Sequence, residues 1–136
     1  MTPTIRTATC ACRTVSITVA GDPVIHGVCH CGNCKRRTGS AFGISTYFKR
    51  SAVVTQTGAT RVYAFKHKSR QHDQQRHFCE TCGTTLFWHV PSQPELVGIA
   101  GGCFERGTLG APSSSLAHDQ KVDWVGLPAQ WRKVGG

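Results

Sequence analysis

Residues 78–87 read FCETCGTTLF, a pair of cysteines two residues apart between apolar and β-branched residues. Gly83 directly follows the second cysteine, where a glycine lets the backbone turn so that its amides point at thiolate sulfurs. A redox pair of this spacing normally opens a helix in a βαβ unit, whereas this pair has strand-like residues on both sides. The stretch therefore predicts a metal-binding turn between two strands.

Short strand-like runs continue on both sides of this stretch. RTVSITVA (13–20) alternates apolar and polar residues and ends at the turn residues Gly21, Asp22 and Pro23. Further runs rich in β-branched and aromatic residues are VIHGVC, AFGISTYF, AVVTQT, TRVYAF, RHFC, TTLFWHV and ELVGIA. The pattern predicts a mainly β fold, and 136 residues suit one domain spanning residues 1–136.

Two segments depart from the strand pattern. Residues 32–39 can hold one helical turn, with Asn33 as its cap and Gly39 as its end. From Gly107 onward the chain reads as a loop, and the tail beyond it carries Trp124 and Trp131. We expect these two indoles to pack on the core.

The cysteine spacing predicts two metal sites. Seven of the eight cysteines fall in three groups, which are Cys10 and Cys12, Cys29, Cys31 and Cys34, and Cys79 and Cys82. They divide most simply into a closed four-thiolate structural site and a three-thiolate site with one open position. The first and last groups are the natural four, although spacing alone also allows the middle group to join Cys79 and Cys82. Cys103 stands apart; a fourth ligand for the middle group and a free thiol are open interpretations, and a small buried residue is the favoured one.

The compartment follows from what the sequence lacks. Residues 1–21 do not resemble a signal peptide, and no stretch approaches the eighteen or so apolar residues of a membrane span. We therefore expect a cytoplasmic protein without a membrane partner. In that reducing compartment, clustered cysteines are metal ligands or catalytic thiols more often than disulfides.

The chain is basic, which favours anionic partners. Sixteen Lys and Arg against seven Asp and Glu give a formal charge of +9, and metal-bound thiolates would lower it to about +6. Three consecutive cations, Lys35, Arg36 and Arg37, directly follow the middle cysteine group. They are candidates to hold substrate carboxylates, weighed evenly against a solvated basic turn.

The order CxC, CxCxxC, CxxCG resembles the family of glutathione-dependent formaldehyde-activating enzymes and centromere protein V. The segments that carry the resemblance are TCACRTVSITVAG, CHCGNCKRRTGSAF, HFCETCGTTLF and AGGCFE, with a late His118 and Trp124. It implies a β-tent, a single small domain of several short antiparallel sheets stabilised by zinc. By motif position, the structural zinc ligands would be Cys10, Cys12, Cys79 and Cys82. The ligands of a second zinc, which can be labile, would be Cys29, Cys31 and Cys34.

The resemblance also implies an activity. It is that of a carbon–sulfur lyase of the S-(hydroxymethyl)glutathione synthase type, which joins glutathione or another small thiol to formaldehyde or a related small carbonyl compound.

The sequence departs from the family at Arg13, where glycine is usual, and at Gly102-Cys103-Phe104-Glu105, where GxLD is more common. Residues of a suitable type to move a proton are His30, His89, His118 and Glu80, and the sequence selects none of them.

Two other functions stay open. In residues 61–76, RVYAFKHKSRQHDQQR, Lys and Arg surround Tyr63 and Phe65, as in binders of single-stranded nucleic acid. The alternation of Tyr63 and Phe65 with Val62 and Ala64 instead favours a strand with one aromatic face in the core. A non-enzymatic zinc module contacting nucleic acid or protein is therefore the second hypothesis, and a zinc buffer is the third.

Overall fold

The computed structural model describes residues 2–68 and 70–135, which form eleven strands and one α-helix. The strands are β1 (Ile5–Thr9), β2 (Ser16–Ala20), β3 (Ile25–Cys29), β4 (Gly43–Lys49), β5 (Val53–Thr57), β6 (Thr60–His67), β7 (His72–Cys79), β8 (Thr85–His89), β9 (Leu96–Ala100), β10 (Ser114–Leu116) and β11 (Arg132–Val134). The helix α1 (Gly32–Thr38) joins β3 to β4. Short 3₁₀ turns occupy Arg50–Ala52, Gly101–Cys103 and His118–Gln120. The prediction of a mainly β fold is confirmed.

The strands form two sheets, an arrangement consistent with a β-tent. Three antiparallel strands make the small sheet, in the order β1-β2-β5. The large sheet has the order β11-β10-β3-β4-β9-β8-β7-β6. It differs from the expected antiparallel pattern at one edge, where β10 runs parallel to both β3 and β11. The long loop after Phe104 brings the tail back beside β3 in the same direction.

The main core lies between the two sheets. Most of its buried members come from β1 and β2 on one side and from β4, β8 and β9 on the other, and Val15 and Phe104 add to it from the connecting segments; the strand members include Ile17, Val19, Phe48, Leu86, Phe87, Val97 and Ile99. Cys10 and Cys79 belong to the same cluster, so these two thiols lie at the border of the core. Burial of this apolar surface, at about 25 cal/mol per Å², stabilises the packing of the two sheets.

The large sheet must curl to bring its ends together. Five strand spacings separate β3 from β6, which is about 24 Å in a flat sheet. His67 at the end of β6 nevertheless lies 3.8 Å from Cys31, two residues beyond β3. The right-handed twist of sheets makes such curling the ordinary outcome. As a result, side chains of the β6–β7 hairpin reach the segment that follows β3.

Two predictions about aromatic side chains are wrong. Trp124 is 78% exposed, because the tail is held through β10 and β11 instead of through this indole. Tyr63 is 56% exposed, because β6 is an edge strand and Tyr63 stacks on its neighbour Phe65 at a ring distance of 5.0 Å.

The described residues include no helix that is both long and apolar enough to cross a membrane.

Candidate metal centres

The structure brings the four predicted structural cysteines together. The sulfurs of Cys10, Cys12, Cys79 and Cys82 all lie within 4.8 Å of one another. Cys10 and Cys12 follow β1 of the small sheet, whereas Cys79 ends β7 of the large sheet and Cys82 lies in the next turn. One ion held by all four thiolates would therefore connect the two sheets.

The two turns that carry these cysteines each end in a residue of positive φ directly after the second cysteine. The N–H of Arg13 donates to the Cys10 carbonyl at 3.0 Å, and the N–H of Gly83 donates to the Cys79 carbonyl at 2.8 Å. Arg13 and Gly83 both have positive φ, 68° and 80°. The first turn therefore has arginine in a left-handed conformation that favours glycine, the residue that the family resemblance leads one to expect at this position.

The first cluster fits a tetrahedral ion. Zinc–sulfur bonds of 2.3 Å in a tetrahedron place sulfurs about 3.8 Å apart. The Cys12 sulfur lies 3.6 Å from that of Cys10 and 3.7 Å from that of Cys79. Backbone amides also point at the sulfurs, since the N–H of Val15 donates to Cys10 at 3.3 Å and that of Thr81 donates to Cys79 at 3.4 Å.

The second turn favours the thiolate, the form that binds metal, at both of its cysteines, whereas the pKa of Cys12 in the first turn is raised. A hydrogen bond from the Thr14 hydroxyl, with added backbone N–H donors, lowers the pKa of Cys79 to about 7. A hydrogen bond from the Thr84 hydroxyl is the largest of the effects that lower the pKa of Cys82 to about 5. Geometry and protonation state are therefore both compatible with a closed four-thiolate site.

The three remaining clustered cysteines meet where β3 passes into α1. Cys29 ends β3, and Cys34 lies in the first turn of α1. Cys31 is the N-cap of α1, and its sulfur accepts the Cys34 N–H at 3.4 Å. The predicted cap, Asn33, is instead inside the helix, whereas the predicted end at Gly39 is confirmed with φ 63°. The three sulfurs lie within 4.8 Å of one another.

Hydrogen bonds among these thiols make Cys31 the most acidic of the three. Hydrogen bonds from Cys29 and Cys34 lower the pKa of Cys31, whereas hydrogen bonds with Cys31 and Cys34 raise the pKa of Cys29. His67, which the sequence analysis did not single out, adds a contact from its Nε2 to the Cys31 sulfur at 3.8 Å. His67 is 4% exposed and accepts the backbone N–H of Arg70 at its Nδ1. A thiolate at Cys31 is thus supported from three sides.

A small cavity of about 30 Å³ lies beside this second cluster. Of the predicted cations only Arg37 lines it, joined by Arg70 and Arg76 from the β6–β7 hairpin. A Cβ built on Gly43 would lie 2.5 Å from Arg37 Nη2 and 3.2 Å from Cys34 Cβ, so the guanidinium and this cysteine are immediate neighbours. Arg70 and Arg76 carry no motif signal in the sequence, because only the curl of the sheet brings them here.

The other two predicted cations face away from the cavity. Lys35 donates through Nζ to the Gln120 carbonyl. Arg36 lines an open groove of about 600 Å³ together with Tyr63, Phe65, Lys66 and Lys68. Cys31 and His67 border both the groove and the cavity, so the two spaces adjoin at the second cluster.

None of the four proton-transfer candidates lines the cavity, as the described residues define it. His30 is fully buried, with Nε2 2.9 Å from Ser115 Oγ, which lies 2.7 Å from His118 Nδ1. His89 accepts a hydrogen bond from Arg50, and burial lowers the pKa of His89 to about 4. Glu80 is an exposed residue of the first cluster's turn, 4.0 Å from Arg61.

Cys103 lies outside both clusters. Its side chain is half-buried and packs against the core, and burial raises its pKa. Within residues 2–68 and 70–135, neither group of potential metal ligands includes it.

Fold and sites together define a class: a small, mainly β protein with one complete four-cysteine cluster and one three-cysteine cluster beside a cavity. The sequence model described as "Glutathione-dependent formaldehyde-activating enzyme" matches residues 5–120, and the chain belongs to this family.

Individual relatives are distant. A Fusarium vanettenii protein named "Putative glutathione-dependent formaldehyde-activating enzyme" is 23% identical over 90 residues, which cover 66% of this chain and 47% of the relative. The chain thus spans about half the length of that curated relative. A crystal structure of a Rhodobacter sphaeroides protein superposes with a TM-score of 0.52 at 26% identity, covering 74% of this chain and 88% of the other.

Proposed function

We propose that this chain is a zinc-dependent carbon–sulfur lyase that joins glutathione, or another small thiol, to formaldehyde or a related small carbonyl compound. The observation that carries the proposal is the division of the clustered cysteines. Four form a complete ligand set between the sheets, while three others meet beside a cavity lined by cations. A three-cysteine set leaves one position for substrate.

In this proposal Cys10, Cys12, Cys79 and Cys82 hold a structural zinc, and Cys29, Cys31 and Cys34 hold a second zinc that is more easily lost. We also retain the prediction that one domain carries both sites. Zinc at the second site would lower the pKa of a bound thiol and polarise a carbonyl oxygen. Trp88 and Leu116 are apolar members of the lining of the adjoining cavity.

Arginine and lysine side chains supply the proposed substrate contacts. Arg37 beside Cys34 attracts anionic groups into the cavity. Because the cavity is much smaller than glutathione, the rest of the tripeptide must lie in the adjoining groove that Arg36 lines. Lys35 contacts Gln120, another residue of that groove, and is the third proposed cation.

Exchange spectroscopy tests the activity directly. Glutathione and ¹³C-formaldehyde equilibrate with S-(hydroxymethyl)glutathione without a catalyst, and NMR exchange peaks report the rate. The metal-loaded chain should raise this rate in proportion to its concentration, and removal of the metal should abolish the increase. An unchanged exchange rate, together with no effect of millimolar glutathione on melting temperature, would contradict the proposal.

One observation favours nucleic-acid binding as the second candidate. Tyr63 is 56% exposed and stacks on Phe65 in a groove that also contains Arg36, Lys66 and Lys68. Stacked aromatics among cations are the usual means of holding single strands. Oligonucleotide binding that weakens steeply and linearly with the logarithm of salt concentration would support this candidate.

A further inference from the structure

Two guanidinium groups next to the second cluster each have a buried nitrogen without a hydrogen-bond partner among the described residues. Arg76 is only 8% exposed, with its guanidinium carbon 4.5 Å from the centre of the Phe65 ring. The guanidinium of Arg37 lies over Trp88 at 4.8 Å. Among residues 2–68 and 70–135, no hydrogen-bond acceptor contacts Arg76 Nε or Arg37 Nη2, and the ion pairs of these residues involve neither arginine.

Such donors are costly to leave unpaired. A buried cation without a partner loses its hydration, and burial, followed by repulsion from Arg37, lowers the pKa of Arg76. Arginine remains protonated in proteins even so; the rings of Trp88 and Phe65 offset part of the lost hydration, and an anion in the cavity would supply acceptors for the unpaired N–H groups. Three thiolates around a divalent ion carry a net charge of about −1, which is less than the two guanidiniums require.

The shape of the cavity restricts which anion fits. Its volume of about 30 Å³ corresponds to roughly two water molecules, the size of one carboxylate group. Guanidinium groups match carboxylate geometry through paired N–H donors. Tyr47, Ser45 and Gln74 add polar atoms to the same wall.

We propose that Arg37 and Arg76 form a subsite for a single carboxylate group directly beside the open position of the second metal centre. The inference rests on the proposed function for the role of that position. The carboxylate comes either from the thiol substrate itself or from a separate small acid. In the first case the preferred thiol has its carboxylate only a few bonds from sulfur, as in 3-mercaptopropionate. The carboxylates of glutathione are several bonds farther away.

Matched thiols test the subsite on the cobalt-loaded chain, whose absorption reports sulfur binding to the metal. We expect 3-mercaptopropionate to bind about tenfold more tightly than neutral 2-mercaptoethanol, the effect of one charge-assisted hydrogen-bonded pair. Arg37→Gln and Arg76→Lys should each reduce this preference, and circular dichroism with metal content confirms that each variant folds. Arg61→Gln removes one exposed charge from β6 and should leave the preference unchanged.

Formate identifies the source of the carboxylate. Competition by millimolar formate against 3-mercaptopropionate, dependent on Arg37, supports a subsite for a separate acid. A tenfold preference without formate competition supports a carboxylate carried by the thiol. Equal affinities for the two thiols, or a preference that both arginine variants retain, overturn the subsite and leave the proposed function intact. If neither thiol binds cobalt while formate binding depends on Arg37, the proposed function fails and the subsite stands.

Discussion

Replacing Cys82 with serine should unfold the chain. Structural zinc in small sites supplies folding free energy of order 10 kcal/mol, comparable with the whole stability of a typical domain. Cys82 is exposed, so its replacement removes little buried apolar surface. A large loss of stability would therefore report the loss of the ion that joins the small sheet to the large one. Circular dichroism, soluble yield and zinc content of the purified variant measure the effect.

Cys103→Ser is the matched control for this variant. It makes the same chemical change at a half-buried cysteine outside both clusters. The control should keep both ions and lose about 1 kcal/mol or less of stability. A Cys82→Ser protein that melts as a cooperative unit near the temperature of Cys103→Ser would show that the first cluster does not stabilise the fold.

Replacing Cys31 with serine should have the opposite profile, a folded chain that has lost its second metal and its activity. Cys31 is the N-cap of α1, and serine is among the preferred N-cap residues, so the helix keeps its start. The pairing of β3 with β4 and β10 does not depend on this side chain. We expect less than two zinc ions per chain and a thiol–aldehyde exchange rate at the uncatalysed level.

A second cysteine variant and a comparison of melting curves test the prediction for Cys31→Ser. Cys34→Ser removes a second member of the same cluster and should reproduce the metal loss. Melting curves then decide the division of roles between the clusters. If Cys31→Ser unfolds the chain as completely as Cys82→Ser, the assignment of a structural first site and a reactive second site is wrong.

The turn that carries Cys79 and Cys82 was the most predictable part of the structure, because its signal is local. The CxxCG spacing and Gly83 specify a turn whose backbone N–H groups face sulfur, and the structure has this turn between β7 and β8. The division of seven cysteines into four and three needed only ligand counting, and the two groups of sulfurs follow that division.

The walls of the cavity could not be predicted in the same way. His67 and Arg76 lie more than thirty residues beyond Cys31 in the sequence, and they approach the cluster only because the large sheet curls. The exposure of Tyr63 could not be predicted from the sequence either. Its alternation with apolar neighbours indicates a strand, but only the sheet order reveals that β6 lies at the edge and leaves this side chain exposed.

X-ray absorption at the zinc edge, recorded with and without glutathione, tests the central claim most directly. Without thiol, the account predicts two zinc ions per chain, one bound by four sulfurs and the other by three sulfurs and one lighter atom. With glutathione, both ions should have four sulfur ligands. A second site that already has four protein ligands, or three sulfurs that remain three when glutathione is added, would contradict the claim that the second cluster is open for a thiol.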